Sequence, residues 1–191
     1  NTFESDPISA DQPFLEEIRS IPGFERMNRY ANKPGILRGD ESMQGILLKG
    51  VGADFDWSFF AKNLVHGALP VVADSARNKD VLISERLARM MGIEVGDRIE
   101  LMFVQNPPRR DQYKVSGFYE TDMAEIDEML MLTDIRNVQR LNGWDAGQVT
   151  GLEIITAAFR GIPRFSDVGF HRLRWMAPQY PEVGKLRVTK P

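Results

Sequence analysis

Two histidines, an acidic loop, a short glycine-rich turn and a basic proline-rich loop are the parts of this chain whose chemistry could extend beyond folding. His66 stands beside Gly67, and His171 lies in the C-terminal third. Neither belongs to an HExxH helix or a nucleophile elbow, so both read as residues with ordinary hydrogen bonds. Asp122, Glu125, Asp127 and Glu128 gather four carboxylates. A calcium loop needs regular ligand spacing, a glycine at its turn and a distal bidentate glutamate. That pattern is absent, and the segment reads as a solvated loop leading into a strand. Gly50-Val51-Gly52 begins like a dinucleotide fingerprint but lacks the third glycine and the long helix, so a strand-ending turn is the expected role. There is no cysteine, which removes thiol nucleophiles, thiolate metal sites and disulfides. The expectation is no catalytic residue, no metal site and no cofactor.

The segment Asn106, Pro107, Pro108, Arg109, Arg110 is the most obvious projecting loop, because consecutive prolines cannot supply ladder N–H groups. With Lys114 it forms a small cationic group suited either to an acidic partner or to keeping a sheet edge soluble. Trp57, Phe59 and Phe60 have helical spacing and are expected to be mostly core; any that are exposed would form an apolar binding patch.

The elements that must hold these groups are legible from local signals. Ser84 can cap a helix beginning at Glu85. Ile83, Leu87, Met90 and Met91 share one face, and Gly92 stands where a left-handed helix end is common. Gly96-Asp97 makes a turn, and Ile99, Leu101 and Phe103 then alternate as in a half-buried strand. Upstream, Asp11 is expected to cap a first helix with Phe14, Ile18 and Ile21 buried. Strands are expected near Arg26–Leu37 and Met43–Val51, joined by a polar hairpin turn. Phe55–Leu64 reads as a short helix and Val65–Lys79 as loop. Tyr113, Val115 and Phe118 begin a return strand, Met129–Leu132 is a buried strand, and Asp134 caps a helix through Leu141 that ends at Gly143. Gly151–Ile155 is a further strand, Phe165–Met176 a weak helix, and Lys185–Thr189 a last strand.

The chain has 191 residues, 42% hydrophobic and 27% charged, with a net charge of −3. This is an ordinary globular composition with no general attraction to nucleic acid. No window approaches the ~18 consecutive apolar residues of a membrane span. The chain starts at Asn1 without a signal-like segment, so it reads as an excised fragment or a processed form.

Several ordered blocks resemble the MacB-like periplasmic core domain of ABC transporter permeases of the MacB/FtsX/Lol type. They are Phe14–Ala31, with its Ile21-Pro22-Gly23-Phe24 helix end; Met43–Asp54, similar to a strand followed by V-K-G-V-D; and Asp80–Leu101, similar to I-I-L-G-x-x-L-A-x-x-L-G-V-x-V-G-D-x-V-x-L. Val115-Ser116-Gly117-Phe118-Tyr119 is similar to V-x-G-I-F, and Asp127–Leu141 also fits. Ser84 replaces the family's usual glycine, and the segment after Ile155 is atypical.

The resemblance implies an α+β fold of two subdomains. A porter-like, βαβ-rich subdomain would comprise 11–77 and 151–191, a sabre-like mixed subdomain would be inserted as 78–150, and 1–10 would be a linker. It implies a non-catalytic periplasmic domain of a bacterial inner-membrane permease, with the flanking spans outside this sequence. The implied partners are a cytoplasmic ATPase subunit, a second permease copy, and a periplasmic protein or lipoprotein. Within the family the Lol branch handles lipoproteins, the MacB branch couples to export machinery and the FtsX branch controls cell-wall hydrolases. The loop Gln105–Arg110 corresponds in position to a hairpin that contacts a carrier in one Lol member, which makes Asn106, Pro107, Pro108, Arg109 and Arg110 the expected contact residues. Two other readings come from the residues themselves: a soluble psi-barrel-like ligand-binding or enzyme domain around the Gly96-Asp97 turn, and an adaptor module outside transporters.

Overall fold

The computed structural model describes residues 6–20, 23–39, 42–156 and 187–189. The first elements are β1 (Ile8–Ser9), α1 (Leu15–Arg19), β2 (Phe24–Arg38), β3 (Met43–Val51), α2 (Ser58–Lys62) and β4 (Leu64–Gly67). They are followed by β5 (Asp80–Ser84), α3 (Glu85–Met91), β6 (Arg98–Phe103), β7 (Arg109–Tyr119) and α4 (Ala124–Asp127). The last are β8 (Leu130–Asp134), α5 (Ile135–Asn142), β9 (Gln148–Val149), β10 (Gly151–Thr156) and β11 (Arg187–Thr189). Short helices on a mixed sheet make this an α+β fold. The weak helix expected over Phe165–Met176, with His171, lies outside the described residues.

Six strands close on themselves. β2 pairs antiparallel with β3, β3 parallel with β8, and β8 antiparallel with β5. β5 then pairs parallel with β7, β7 antiparallel with β6, and β6 returns antiparallel to β2 at Ile36↔Met102 and Leu37↔Leu101. The alternating residues of these strands fill the interior. Leu37, Leu48, Ile83, Leu101, Phe103, Val115 and Met131 are all fully buried in one cluster. Each such side chain contributes roughly 1.5–3 kcal/mol on burial. Outside this ring, β10 extends β2 and is flanked by β11, while β4 extends β7.

The ring has an approximate two-fold symmetry. β5 leads directly into α3 as β8 leads into α5, with the last strand residue serving as helix cap in both. The Ser84 hydroxyl accepts from the Leu87 N–H, and the Asp134 carboxylate accepts from the Arg136 N–H. Both helices end on a left-handed glycine, Gly92 (φ 67°) and Gly143 (φ 72°). Leu82 faces Leu132 where the two units meet. Their buried faces, Leu87 and Ala88 on α3 and Val138 and Leu141 on α5, join the same core.

Ser84 does more than cap its helix: its hydroxyl also donates to the Asp127 carbonyl, tying α3 to the α4 turn. We expect Ser84→Ala to cost about 2 kcal/mol, since it removes a cap and leaves a buried carbonyl unpaired. Urea denaturation checks this, and a loss under about 0.5 kcal/mol would place the cap elsewhere.

Several local expectations change. Met90 is 47% exposed. The helix starts only after Ser84, so Ile83 belongs to the strand and cannot set the helical stripe; Leu87 and Ala88 do. Asp11 is not a cap, because α1 begins at Leu15 with no side-chain cap, and Phe14, Leu15 and Ile18 are its buried residues. Ile8 and Ser9, in the segment expected as linker, pair with Val149 and Gln148. Leu64–Gly67, expected partly as loop, is an edge strand on β7.

Candidate functional site

The projecting loop joins β6 to β7. Alternation along both strands buries Leu101, Phe103 and Tyr113, and Asn106 to Arg110 at the tip are exposed. Val104 at its start is 72% exposed, and the Asn106–Pro107 bond is cis. The Arg109 guanidinium donates to the Arg140 carbonyl at 2.9 Å. Arg140 lies in the last turn of α5, where carbonyls lack helical partners and the dipole is negative. Arg110 lies 3.6 Å from Glu100 across the hairpin, an exposed pair of little energetic weight.

Arg109, Arg110, Asp111, Arg140 and Leu141 line a shallow hollow of about 360 Å³ at the loop's base. Asp111 is the only acid among them, and it is already engaged by the Lys79 ammonium and by the Tyr113 hydroxyl, which donates at 3.2 Å. Burial first, and the Asp111 charge second, push the Tyr113 hydroxyl well above its ordinary value, which keeps it a donor. The hollow therefore offers cationic hydrogen-bond donors to an acidic group. Lys114 does not join it. Four residues along β7 from Arg110 it is about 13 Å away, opposite Arg98 and beside Asp80.

The other candidate groups have structural partners. His66 is exposed, its imidazole 3.9 Å from Glu85 and edge-on to Phe118. In the acidic segment Asp127 is buried, and its carboxylate accepts from the Thr121 N–H and hydroxyl, the latter at 2.8 Å. This corrects the solvated-loop reading: Asp127 anchors the turn before β8. Among the described residues no group of three or more His, Asp or Glu is placed to hold a metal ion. Gly50 faces the backbone of α5, where an added Cβ would sit 2.7 Å from Ile135 Cα. It is a helix-packing glycine rather than a phosphate cradle. Phe60 is buried against Tyr119 and the rings of Phe55 and Trp57, whereas Phe59 is 43% exposed. Asp56 precedes this helix, and its carboxyl is held below its ordinary value chiefly by the hydrogen bond from the Ser58 N–H.

One bracket has no sequence signal. Arg136 reaches back across the fold to the Ala73 and Ala76 carbonyls at 2.6 Å, while its Nε donates to Asp134 at 2.9 Å. Its guanidinium is held further toward the charged form by that carboxylate. The two residues pin the long connection before β5 onto the start of α5.

No family model matches the chain. Over 134 residues it is 25% identical to the "Lipoprotein-releasing system transmembrane protein LolC" of Xylella fastidiosa (strain Temecula1), a match covering 65% of this chain and 31% of that protein. The chain thus spans about a third of the length of the curated relatives it matches. In structure it is similar to the extracellular domain of the noncanonic ABC-type transporter YknZ from Gram-positive bacteria. The TM-score is 0.54 at 14% identity, over 92% of this chain and 86% of that one. It is likewise similar to the periplasmic region of MacB from Actinobacillus actinomycetemcomitans, with a TM-score of 0.55 at 9% identity, over 94% of this chain and 77% of that one. Among the described residues no helix is long and apolar enough to cross a membrane. The chain has the α+β fold of the periplasmic and extracellular domains of MacB-type ABC transporter permeases.

Proposed function

We propose that this chain is a non-catalytic extracytoplasmic domain of an ABC transporter permease, which couples ATP-driven motion of membrane spans to a periplasmic protein or lipoprotein. The observation that carries the proposal is the fold likeness over more than nine-tenths of the chain to two such domains, YknZ and MacB. The sequence relation to LolC over 65% of the chain supports it. The absent part of the transporter would engage the cytoplasmic ATPase and a second permease copy. In the same proposal, segments 11–77 and 151–191 face the spans and 78–150 is the inserted, partner-facing part.

The partner contact is assigned to Asn106, Pro107, Pro108, Arg109 and Arg110. Two features support that assignment: the tip is exposed, and its base is a hollow lined by three arginines with one acid already engaged. A soluble ligand-binding barrel is the weaker reading. The interior of the strand ring is filled by fully buried side chains, so the ring supplies no lumen for a ligand.

Replacing Pro107–Arg110 with a Gly/Ser turn should leave the thermal midpoint within a few degrees, because the removed residues are exposed. Recovery of the envelope partner captured by the wild-type chain should fall at least about tenfold, as for loss of a small binding hot spot. Unchanged recovery would remove the loop from the interface.

A further inference from the structure

The cations around the hollow beneath the β6–β7 loop outnumber the acids that could neutralise them. Along β7, Arg109, Asp111 and Tyr113 share one face, because side chains alternate, and Tyr113 is buried. The Lys79 ammonium reaches that face, bonded to Asp111 and 5.3 Å from the centre of the Tyr113 ring. Arg109 reaches it too, with its guanidinium on the Arg140 carbonyl. Burial and then Asp111 raise the Tyr113 hydroxyl, and the charges of Arg77 and Arg140 both oppose that rise, so these two guanidiniums face the same corner. Four cations thus meet around one carboxylate, an excess of three positive charges, in a chain whose net charge is −3. Arg110 is already paired with Glu100 and adds nothing to this count. Like charges gathered at one place repel one another, and an anion brought among them relieves that repulsion.

The number and kind of free donors define the anion. Arg77 and Arg140 are exposed, and among the described residues neither guanidinium has a hydrogen-bond or ion-pair partner. Each offers a planar fork of N–H donors. The Arg140 carbonyl, which would otherwise present the negative end of α5, is closed by the Arg109 guanidinium at 2.9 Å and the Gly143 N–H at 3.3 Å. A single carboxylate has two oxygens in one plane and offsets one positive charge of the three. A phosphoryl group carries about −1.5 to −2 charge at pH 7 and points its oxygens in several directions, so it can accept from more than one guanidinium at once. An acidic peptide spreads its carboxylates along a surface, whereas these charges converge on one hollow of about 360 Å³. Among the described residues Leu141 is its one apolar lining side chain, which leaves little wall for a peptide's apolar groups.

We propose that this hollow binds a phosphoryl group, with Arg77 and Arg140 as its principal ligands and Lys79 and Arg109 completing the cationic wall. The inference rests on reading the hollow as a recognition surface, but its test is separable. Partner capture reads the loop tip, whereas phosphate binding reads Arg77 and Arg140, which lie outside the replaced residues.

The test uses the whole 191-residue chain with inorganic phosphate as probe, at neutral pH and fixed ionic strength. The Nε–H signals of Arg77 and Arg140 should shift saturably in two-dimensional NMR, with a Kd on the order of 1 mM. Arg77→Gln and Arg140→Gln should each weaken binding at least about fivefold. Both side chains are exposed and the capped Arg140 carbonyl is backbone, so the thermal midpoints should stay within a few degrees. Lys114→Gln removes the same charge away from the hollow and should change binding less than about twofold. Vesicles of phosphatidylcholine with and without phosphatidic acid separate two sources of the group. Capture by the phosphatidic acid vesicles alone identifies a lipid headgroup, and phosphate binding without vesicle capture identifies a soluble phosphorylated ligand; both agree with the proposal. Absence of saturable shifts at about 20 mM phosphate, an equal loss in Lys114→Gln, or tighter binding of tri-glutamate than of phosphate would overturn it. A chain that captures its envelope partner yet binds no phosphate overturns this inference alone. One that binds phosphate but captures no partner supports it and contradicts the loop assignment.

Discussion

Replacing Gly50 by valine is expected to lower folding stability by about 3 kcal/mol, at the upper end of what overpacking costs. Gly50 lies on β3 where α5 crosses at close range. A Cβ there would stand 2.7 Å from Ile135 Cα and 2.9 Å from Val138 Cγ2. The first of these is backbone, so relief requires moving the helix rather than turning a rotamer. That helix contributes Val138 and Leu141 to the central core, so the displacement would propagate inward. Gly45, five residues earlier on the same strand, is the control. A Cβ at that position meets nothing within 4 Å, and Gly45→Val should stay within about 0.5 kcal/mol. Urea denaturation of both variants decides the matter, and equal losses would contradict the close packing of α5 on β3.

The second large effect is expected at Asp134. Its side chain is almost fully buried and accepts from the Arg136 N–H at 2.9 Å, the Asn78 N–H at 3.1 Å and the Arg136 guanidinium. Asp134→Ala therefore removes a helix cap, unpairs the Asn78 N–H, and leaves Arg136 without its counter-charge. A loss of about 3 kcal/mol follows, most of it from groups left unpaired rather than from the ion pair itself. Asp134→Asn keeps an acceptor for the cap and loses the charge, so its cost should be about half as large. Hydrogen exchange should speed up at residues 73–80, which this carboxylate and Arg136 hold in place, before it does in β6 and β7. Uniform acceleration across the chain would argue against a local bracket.

Local causes made much of this fold legible in the sequence. Ser84 with Gly92 and Asp134 with Gly143 delimit two helices because a cap and a left-handed terminus are written in single residues. β2 and β3 are readable within two residues because a polar turn between two long strand-like segments marks a hairpin. Ring closure was not readable. It rests on Leu37 meeting Leu101, a pairing across more than sixty residues that no local pattern announces. β4 escaped because a four-residue edge strand with Val65, His66 and Gly67 exposed buries too little to leave a pattern. Asp127 looked solvated among its acidic neighbours, yet the turn folds its carboxylate inward onto Thr121. At the candidate site, the prolines and arginines of the loop were visible as composition. The hollow beneath it was not, since Arg140 comes from a helix thirty residues downstream.

These features are the ones that the proposed coupling role would use. A ring with a filled core and two closely packed helices resists deformation, and it holds the β6–β7 loop out from one rim. The buried tyrosines reinforce this. Tyr119 donates to the Leu130 carbonyl at 2.8 Å, and burial raises its hydroxyl well above the ordinary value, so it remains a structural donor.

The most direct test of the extracytoplasmic permease reading uses the absence of native cysteine in this domain. Arg110→Cys is introduced into the full-length protein, with any cysteine elsewhere replaced, and spheroplasts are treated with a membrane-impermeant maleimide. The account predicts labelling of the intact spheroplasts to the same extent as after lysis. Labelling only after lysis would place the loop on the cytoplasmic side and contradict the account.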